Sequence, residues 1–126
     1  MSALSDTIAA GHFAITAEIT PPLSANPIDL LAKSDVLKGK VDAVNVTDGA
    51  SARAHMSSVA AAYLLLQSGI EPVLQLTCRD RNRIALQSDM LGAAALGVEN
   101  LLILGGDDPS AGDQPDAKPV FDYKSR

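Results

Sequence analysis

The chain has 126 residues, 47% of them hydrophobic, which suits one globular unit with a core. Its net charge is −5 at pH 7 and its basic residues are scattered, so it has no basic surface of the kind that binds nucleic acid. No apolar run approaches the roughly 18 residues that a membrane-spanning helix needs, and the start of the chain lacks the pattern of a secretory signal. Because Cys78 is the single cysteine, the sequence excludes an internal disulfide and a metal site built from several cysteines, and it favours a reducing, cytoplasmic setting. The two histidines lack the paired spacing of metal ligands, so no other metal site is predicted.

The first regularity along the chain is the spacing of four glycines, Gly11, Gly39, Gly69 and Gly97, which are 28, 30 and 28 residues apart. Each of the last three ends a helical pattern and precedes a short apolar run, which is typical of a left-handed residue just past a helix. We expect Gly11 to end a short leading helix in the same way. Units of about 30 residues therefore divide the chain.

Strand-like and helix-like segments alternate after the leading helix. The apolar runs, mostly rich in Val, Ile and Leu, predict buried strands, and the segments between them have apolar residues at helical spacing. Pro27 suits the first turn of its helix, and Asp80 is the expected N-cap of the last helix. In chain order, the expected elements are strand 13–19, helix 27–38, strand 41–46, helix 56–68, strand 73–76, helix 81–96 and strand 101–104.

Alternating strands and helices with short connections predict an α/β fold with parallel strands and right-handed crossovers. Two architectures fit this pattern equally well: a small open, doubly wound sheet and one half of a (β/α)8 barrel. Eight such units would give the roughly 250 residues of a usual barrel. The pattern alone leaves both open.

Polar side chains follow each expected strand where it ends. The four segments are Glu18–Pro22, Asn45–Gly49, Gln75–Asp80 and Gly105–Pro109. Because the carboxyl ends of parallel strands lie on one side of such a fold, where ligands bind, we expect these side chains to converge. The two glycines that open the last segment would let a flat ligand approach the backbone closely. Neither G-x-G-x-x-G nor a P-loop motif is present, so those two modes of nucleotide binding are unsupported.

Glu18 lies inside the first expected strand, where side chains alternate between two faces. The apolar face, which helices would cover, holds Phe13, Ile15, Ala17 and Ile19, and Glu18 shares the face that would point into a barrel with Ala14, Thr16 and Thr20. A buried carboxylate is costly unless it is paired, and burial favours its protonated form, which suits a general acid. The alternative is a structural glutamate bonded to a neighbouring strand or loop.

The strand ends also carry the motifs of a known family. The chain resembles the methylenetetrahydrofolate reductase family over nearly its whole length, in five stretches that keep the family's order and spacing and in the tail Lys118–Asp122. The five stretches are Glu18–Pro22, Val44–Ala50, Gln75–Asn82, Leu91–Gly97 and Gly105–Pro109. The resemblance implies a barrel. Residues 1–126 would be a single, incomplete unit, the N-terminal half of a (β/α)8 TIM barrel with four parallel strands and three intervening helices.

The resemblance implies a flavin-dependent oxidoreductase of one-carbon metabolism and methionine biosynthesis. In the family, FAD accepts a hydride from NADH or NADPH and passes it to 5,10-methylenetetrahydrofolate, giving 5-methyltetrahydrofolate. Glu18 matches the general acid, which protonates a folate nitrogen so that the methylene bridge opens to an iminium. Asp107 matches an aspartate that lies near the flavin and the folate and tunes the flavin. Thr47 matches a threonine that bonds the flavin ring, and Gly106 would allow the ring close to the backbone.

Four further positions belong to the cofactor-binding set that the resemblance implies. Gln75 stands where many members have histidine, and Gly105 stands where many have arginine. Both changes remove a cationic or aromatic contact to the cofactor and resemble a divergent branch of the family. Phe121 and Asp122 match a loop that is expected to contact the cofactor.

An isolated half-barrel would expose unpaired strand edges. We therefore expect it to associate with another copy or with a second chain that completes the barrel, or to be a fragment of a longer product. Two other functions stay open beside a folate-reducing enzyme. One is a non-catalytic half-barrel subunit that pairs with a partner, and the other is a flavin-free, pterin-binding methyltransferase barrel. Neither nucleic acid nor a membrane is expected as a partner.

Overall fold

Helices and parallel strands alternate along residues 1–123, which are the residues that the computed structural model describes. The elements are α1 (Ala3–Ala9), β1 (Thr16–Ile19), α2 (Pro27–Asp35), β2 (Ala43–Val46), α3 (Ser58–Gln67), β3 (Pro72–Thr77), α4 (Arg83–Ala95) and β4 (Asn100–Leu104). Short 3-10 turns follow β2 at Ala50–Ala52 and β4 at Pro109–Ala111. All three strand pairs are parallel, and the strands form one sheet in the order β1-β2-β3-β4.

The strand order distinguishes the two folds that the sequence pattern leaves open. A doubly wound sheet reverses its strand order at a switch point, whereas here each strand pairs with the next one along the chain. Helix α3 packs on β3 and contacts both α2 and α4, so the connecting helices form one layer. The expectation of four parallel strands with three intervening helices, as in half of a (β/α)8 barrel, is confirmed.

The two faces of the sheet differ as the period of two predicts. The face that packs against the helices contributes Ile19, Val44, Val46, Leu74 and Leu76 to the core, together with Leu30, Ala61, Ala62 and Leu65 from α2 and α3. Glu18 lies opposite Asn45 in the register, and Asn45 lies opposite Val73, two residues before Gln75. These polar side chains alternate with core residues along their strands. They therefore lie on the face turned away from the helices, where a barrel has its interior.

The periodic glycines follow the ends of helices, as the sequence predicts. Gly11, Gly39, Gly69 and Gly97 have φ angles of 73°, 71°, 83° and 90°, the left-handed region that glycine enters without steric cost. The expected first-turn proline of α2 is also confirmed, since Pro27 directly follows the N-cap Asn26. Within residues 1–123, no helix has both the length and the apolar character that a bilayer crossing requires.

The last helix begins two residues later than expected. Its N-cap is Asn82, whose side-chain oxygen accepts a hydrogen bond of 3.0 Å from the amide of Ala85. The prediction of Asp80 as N-cap is wrong, because its carboxylate accepts hydrogen bonds of 2.7 Å from both Nε and Nη2 of Arg79. The pair with Arg79 engages the Asp80 carboxylate, and Asn82 caps the helix in its place.

The first strand is shorter than expected, starting at Thr16 instead of Phe13. Phe13 is 89% exposed and Ile15 is 52% exposed, so the apolar face predicted for this strand is buried only at Ile19. In the described sheet β1 has a neighbouring strand on one side only. Nothing in residues 1–123 covers the start of its outer face, which explains why both large side chains meet solvent.

Candidate functional site

A cavity of about 370 Å³ opens where the four strands end. We call it the strand-end cavity, and its lining residues are Glu18, Thr47, Asp48, Ala50, Gln75, Leu104, Gly105, Gly106 and Asp107. Six of the eight site residues predicted from the sequence are in this set, and they come from all four strand ends. The expected convergence of polar strand ends is therefore confirmed. Glu18 and Asp107, which are 89 positions apart in the chain, line the same cavity.

Glu18 projects from β1 into this cavity, and its partner comes from the third strand. Oε2 of Glu18 accepts a hydrogen bond of 3.1 Å from Nε2 of Gln75, which is 6% exposed. The expectation that Glu18 is buried is wrong for residues 1–123, where the residue is exposed. The described strands form one four-stranded sheet with two open edges, so the face that a closed barrel would enclose is open to solvent at Glu18. Glu18 thus combines an oriented carboxylate with free access for a substrate.

Within the part of the chain that the structure describes, Thr47 has a buried hydroxyl without a hydrogen-bond partner. The residue follows β2 and is 7% exposed, and its Oγ1 makes no hydrogen bond in the described residues. The hydroxyl of Ser58 shares this property, but Ser58 is the first residue of α3 and does not line the cavity. Leaving a buried polar group unpaired costs about 1–3 kcal/mol. A ligand with a polar atom beside Thr47 would remove that cost.

Asp107 is held by a strained loop that follows the second strand. Its Oδ2 accepts a hydrogen bond of 2.8 Å from the backbone amide of Ser51. Ser51 and Ala52 have φ angles of 58° and 53°, and Gly49 before them has 57°. Non-glycine residues in the left-handed region cost about 1–3 kcal/mol each and persist where surrounding contacts impose them. Sequence analysis did not identify Ser51, because a backbone amide carries no side-chain signal.

The two glycines before Asp107 form the floor of the cavity. Gly106 has a φ of 90°, and a Cβ placed there would lie 3.2 Å from side-chain atoms of Thr77 and Arg79. Both the backbone angle and the lack of space therefore require glycine at this position. Gly105 beside it also lines the cavity without a side chain. Both glycines therefore line the cavity with backbone atoms alone, and close approach of a flat ligand there stays a prediction.

Partly buried ion pairs connect the loops beside the cavity. Asp48 accepts hydrogen bonds from the amide of Thr77 at 2.8 Å and from Nη1 of Arg81. Arg81 also donates from Nε to Asp89 on α4 at 2.7 Å. Burial alone would lower the pKa of Arg81, but the bonds to the two carboxylates outweigh it and raise the pKa. These ion pairs attach the end of β2 to the end of β3 and to α4, and sequence analysis did not predict them.

The two remaining predicted residues lie elsewhere. Oδ2 of Asp122 accepts a hydrogen bond of 2.9 Å from the amide of Arg83, the first residue of α4, and lies 3.5 Å from its Nε. Phe121 precedes it and is partly buried. Neither residue lines the strand-end cavity within residues 1–123. The structure therefore brings together the predicted residues of the strand ends, while Asp122 contacts the start of α4 and Phe121 lies beside it in the chain.

Comparison with known proteins identifies the family. In residues 1–123 no three His, Cys, Asp or Glu side chains group closely enough to hold a metal ion. A search of curated proteins finds no significant match to the chain. The family model described as methylenetetrahydrofolate reductase matches residues 3–125, in agreement with the motifs at the strand ends. Because this match covers nearly all of the sequence, the chain belongs to the methylenetetrahydrofolate reductase family.

Proposed function

We propose that the strand-end cavity is part of the active site of a flavin-dependent methylenetetrahydrofolate reductase. The reaction is the NAD(P)H-dependent reduction of 5,10-methylenetetrahydrofolate to 5-methyltetrahydrofolate. The observation that carries the proposal is one cavity that joins an accessible carboxylate, Glu18, a second carboxylate, Asp107, and the unpaired buried hydroxyl of Thr47. Family membership supports a reductase of folate metabolism, and the residues that line the cavity suit its chemistry.

The residues of the cavity fit an isoalloxazine ring. Thr47 offers a hydrogen-bonding hydroxyl, Gly105 and Gly106 leave the backbone accessible, and Gln75 and Asp107 supply polar groups. We propose that these five residues hold FAD. The chemistry that FAD supplies when bound is transfer of a hydride from NADH or NADPH to the methylene carbon of the folate. Phe121 and Asp122 would join this set only if the segment around them contacts another part of the cofactor.

Glu18 is proposed to act as the general acid. Its protonated carboxyl would donate a proton to a folate nitrogen, so that the methylene bridge opens to an iminium that can accept a hydride. The hydrogen bond from Gln75 fixes one carboxyl oxygen and leaves the other available for the substrate. In a barrel closed by further strands this carboxyl would lie inside, where exclusion of water strengthens its interaction with the substrate.

Asp107 is proposed to act beside the ring through its charge and hydrogen bonds. One of its oxygens is engaged by the amide of Ser51, which keeps the carboxylate in the cavity. A fixed negative charge near a flavin disfavours the reduced, anionic form and so lowers its potential. The same carboxylate can accept a hydrogen bond from an amino group of the pterin.

We propose that the chain is one unit that completes its barrel with strands from a second chain, a second copy or further sequence. The support is the pair of open edges, since β1 and β4 each have one neighbour in the described sheet. Leu101 and Ile103 on β4 are exposed as well. Unpaired edges with apolar faces favour association.

The single cysteine of the chain leads us to propose the cytoplasm as its compartment.

The test uses a complete barrel that contains this chain together with the strands that close it. The purified barrel is expected to show flavin absorbance that NADH or NADPH bleaches without oxygen and that 5,10-methylenetetrahydrofolate restores. Thr47→Val keeps the shape but removes the hydroxyl, and it is expected to weaken FAD binding about tenfold. Ser58→Ala removes the other unpaired hydroxyl, outside the cavity, and is the matched control.

Two outcomes would reject the reductase in favour of the alternatives. A barrel that binds folate but no flavin would indicate the pterin-binding methyltransferase. A stable complex with a partner chain that binds flavin or folate without turnover would indicate a non-catalytic subunit. Equal FAD affinity in Thr47→Val and wild type would remove Thr47 from the proposed flavin contacts.

A further inference from the structure

Arg79 lies beneath the strand-end cavity, where the loops after three strands meet. It follows β3, and it is 4% exposed although it carries a charge. Its Nη1 donates a hydrogen bond of 3.0 Å to the backbone carbonyl of Asp107. Nη1 and Nη2 are also 3.4 Å from the carbonyl oxygen of Gly49, at the start of the strained loop. One guanidinium therefore bridges the loop that carries Asp107 and the loop that carries its partner Ser51.

The backbone of Arg79 holds the same turn from a second direction. Its amide donates to the carbonyl of Gly105 at 3.1 Å, and its carbonyl accepts from the amide of Val120 at 2.9 Å. Its Cβ lies against Gly106 so closely that an added methyl there would be 3.2 Å away. Main chain and side chain together contact every residue of the turn Gly105-Gly106-Asp107.

Asp80 orients this guanidinium. Its two carboxylate oxygens accept bonds of 2.7 Å from Nε and Nη2 of Arg79, a bidentate pair that leaves Nη1 for the carbonyls. The hydrogen bond to Asp80 raises the pKa of Arg79 against the lowering effect of burial. A lysine could neither form the bidentate pair nor reach the carbonyls at the same time, since it offers a point charge instead of a planar fork.

We propose that Arg79 is a positioning residue of the strand-end cavity, which fixes the Asp107 carboxylate on the Ser51 amide by clamping both loops. The placement of Asp107 needs such a clamp, because Ser51 and Ala52 would relax from their left-handed angles if the loop were free. Arg79 is absent from the lining of the cavity itself, so it acts through Asp107. The meaning of this role for flavin chemistry rests on the proposed function, but the placement of Asp107 does not.

The first test follows amide hydrogen exchange in the full chain by NMR. In Arg79→Met the Ser51 amide is expected to lose about tenfold in protection, as one local hydrogen bond opens more often. Leu74 and Leu76, which are buried in β3, are expected to keep their protection and so report an intact fold. Arg79→Lys retains the charge and is expected to show the same loss to a smaller extent. Arg83→Met removes an equal charge from an exposed arginine and is expected to change nothing at Ser51.

The second test measures the reduction potential and absorbance spectrum of FAD in the complete barrel. Both are expected to shift in Arg79→Met and to stay unchanged in Arg83→Met. Unchanged protection of the Ser51 amide in both Arg79 variants would overturn the proposal. An equal loss of protection at Ser51, Leu74 and Leu76 would also overturn it, because Arg79 would then stabilise the whole fold and not the two loops in particular. Selective loss at Ser51 in a barrel that binds no flavin would sustain the clamp and reject the proposed function instead.

Discussion

Nε2 of Gln75 donates a hydrogen bond of 3.1 Å to Oε2 of Glu18, and so joins the third strand to the first across the second. The contact follows from the register, because Glu18 is opposite Asn45, Asn45 is opposite Val73, and Gln75 is the next residue of β3 on the same face. The amide is almost fully buried while the carboxylate is exposed, so the buried partner fixes the orientation of the accessible one.

Replacing this amide tests whether it orients the acid. Gln75→Leu keeps a side chain of similar size but removes the donor, so Glu18 would lose its fixed rotamer. In a complete barrel saturated with FAD, we expect reduction of the folate to slow about tenfold, the effect of one lost hydrogen bond, and flavin reduction by NADH or NADPH to slow less, because the proposed flavin contact of Gln75 is one of several. Stopped-flow measurement of the two half-reactions separates them.

Asn45→Ala is the matched control for Gln75. Asn45 lies on the same face, but its amide donates to Thr16 Oγ1 and to the carbonyl of Ala17 at 3.3 and 3.2 Å. It does not line the cavity. Equal slowing of both half-reactions in Gln75→Leu would show that Gln75 acts only through its proposed flavin contact and does not orient Glu18.

Glu18 itself provides the sharper test of the mechanism. Glu18→Gln keeps the size of the side chain and removes the transferable proton. Since general acid catalysis contributes about 10²–10⁴-fold, the folate half-reaction is expected to slow by that amount. Flavin reduction by the nicotinamide needs no proton from this residue and is expected to stay within about twofold of wild type. A similar loss in both half-reactions would show that Glu18 is structural.

The predictions that succeeded depend on local pattern, and those that failed depend on contacts between distant segments. The spaced glycines, such as Gly69 and Gly97, predicted helix ends, because a left-handed residue is a local need. Polar strand ends predicted the cavity, because parallel strands share one orientation. The contact of Ser51 with Asp107 spans 56 positions, and no periodicity encodes it. The sequence neighbours of Asp80 predict a helix cap, whereas its side chain binds Arg79.

The pair of Arg79 and Asp80 makes stability depend on pH in the acid range. The hydrogen bond from Arg79 lowers the pKa of Asp80 below its ordinary value of 3.8, although burial acts in the opposite direction. A carboxyl with a lowered pKa in the folded state stabilises the fold above 3.8, and this contribution disappears as the pH falls from 3.8 through the lowered value. Asp80→Asn is therefore expected to reduce stability at neutral pH and to flatten its decline below pH 3.8.

Urea midpoints of the full chain at neutral pH and at several values below 3.8 measure this effect. Asp113→Asn removes an exposed carboxylate in the loop after β4 and is the control. Parallel acid profiles for wild type and Asp80→Asn would show that the ion pair contributes no pH-dependent stability. Half of the Asp80 side chain is exposed, so solvent screening keeps the expected change small.

Gly112 packs directly against Ala52 in the strained loop. A Cβ at Gly112 would overlap the carbonyl oxygen of Ala52 and would lie 2.9 Å from its Cβ. Because backbone atoms of Ala52 cannot turn aside as a flexible side chain could, the loop would have to move and take the Ser51 amide with it. We expect Gly112→Ala to destabilise the chain by about 1–3 kcal/mol, the usual cost of overpacking. Gly92 is the matched control, since it lies inside α4 and, apart from its chain neighbours and its own helix backbone, no atom of the described residues is within 4 Å of an added Cβ. There the same change is expected to stabilise by about 0.5–1 kcal/mol through helix propensity. Urea unfolding of both variants measures these opposite signs, and a Gly112→Ala chain as stable as Gly92→Ala would mean that the loop adapts freely and does not impose the position of Asp107.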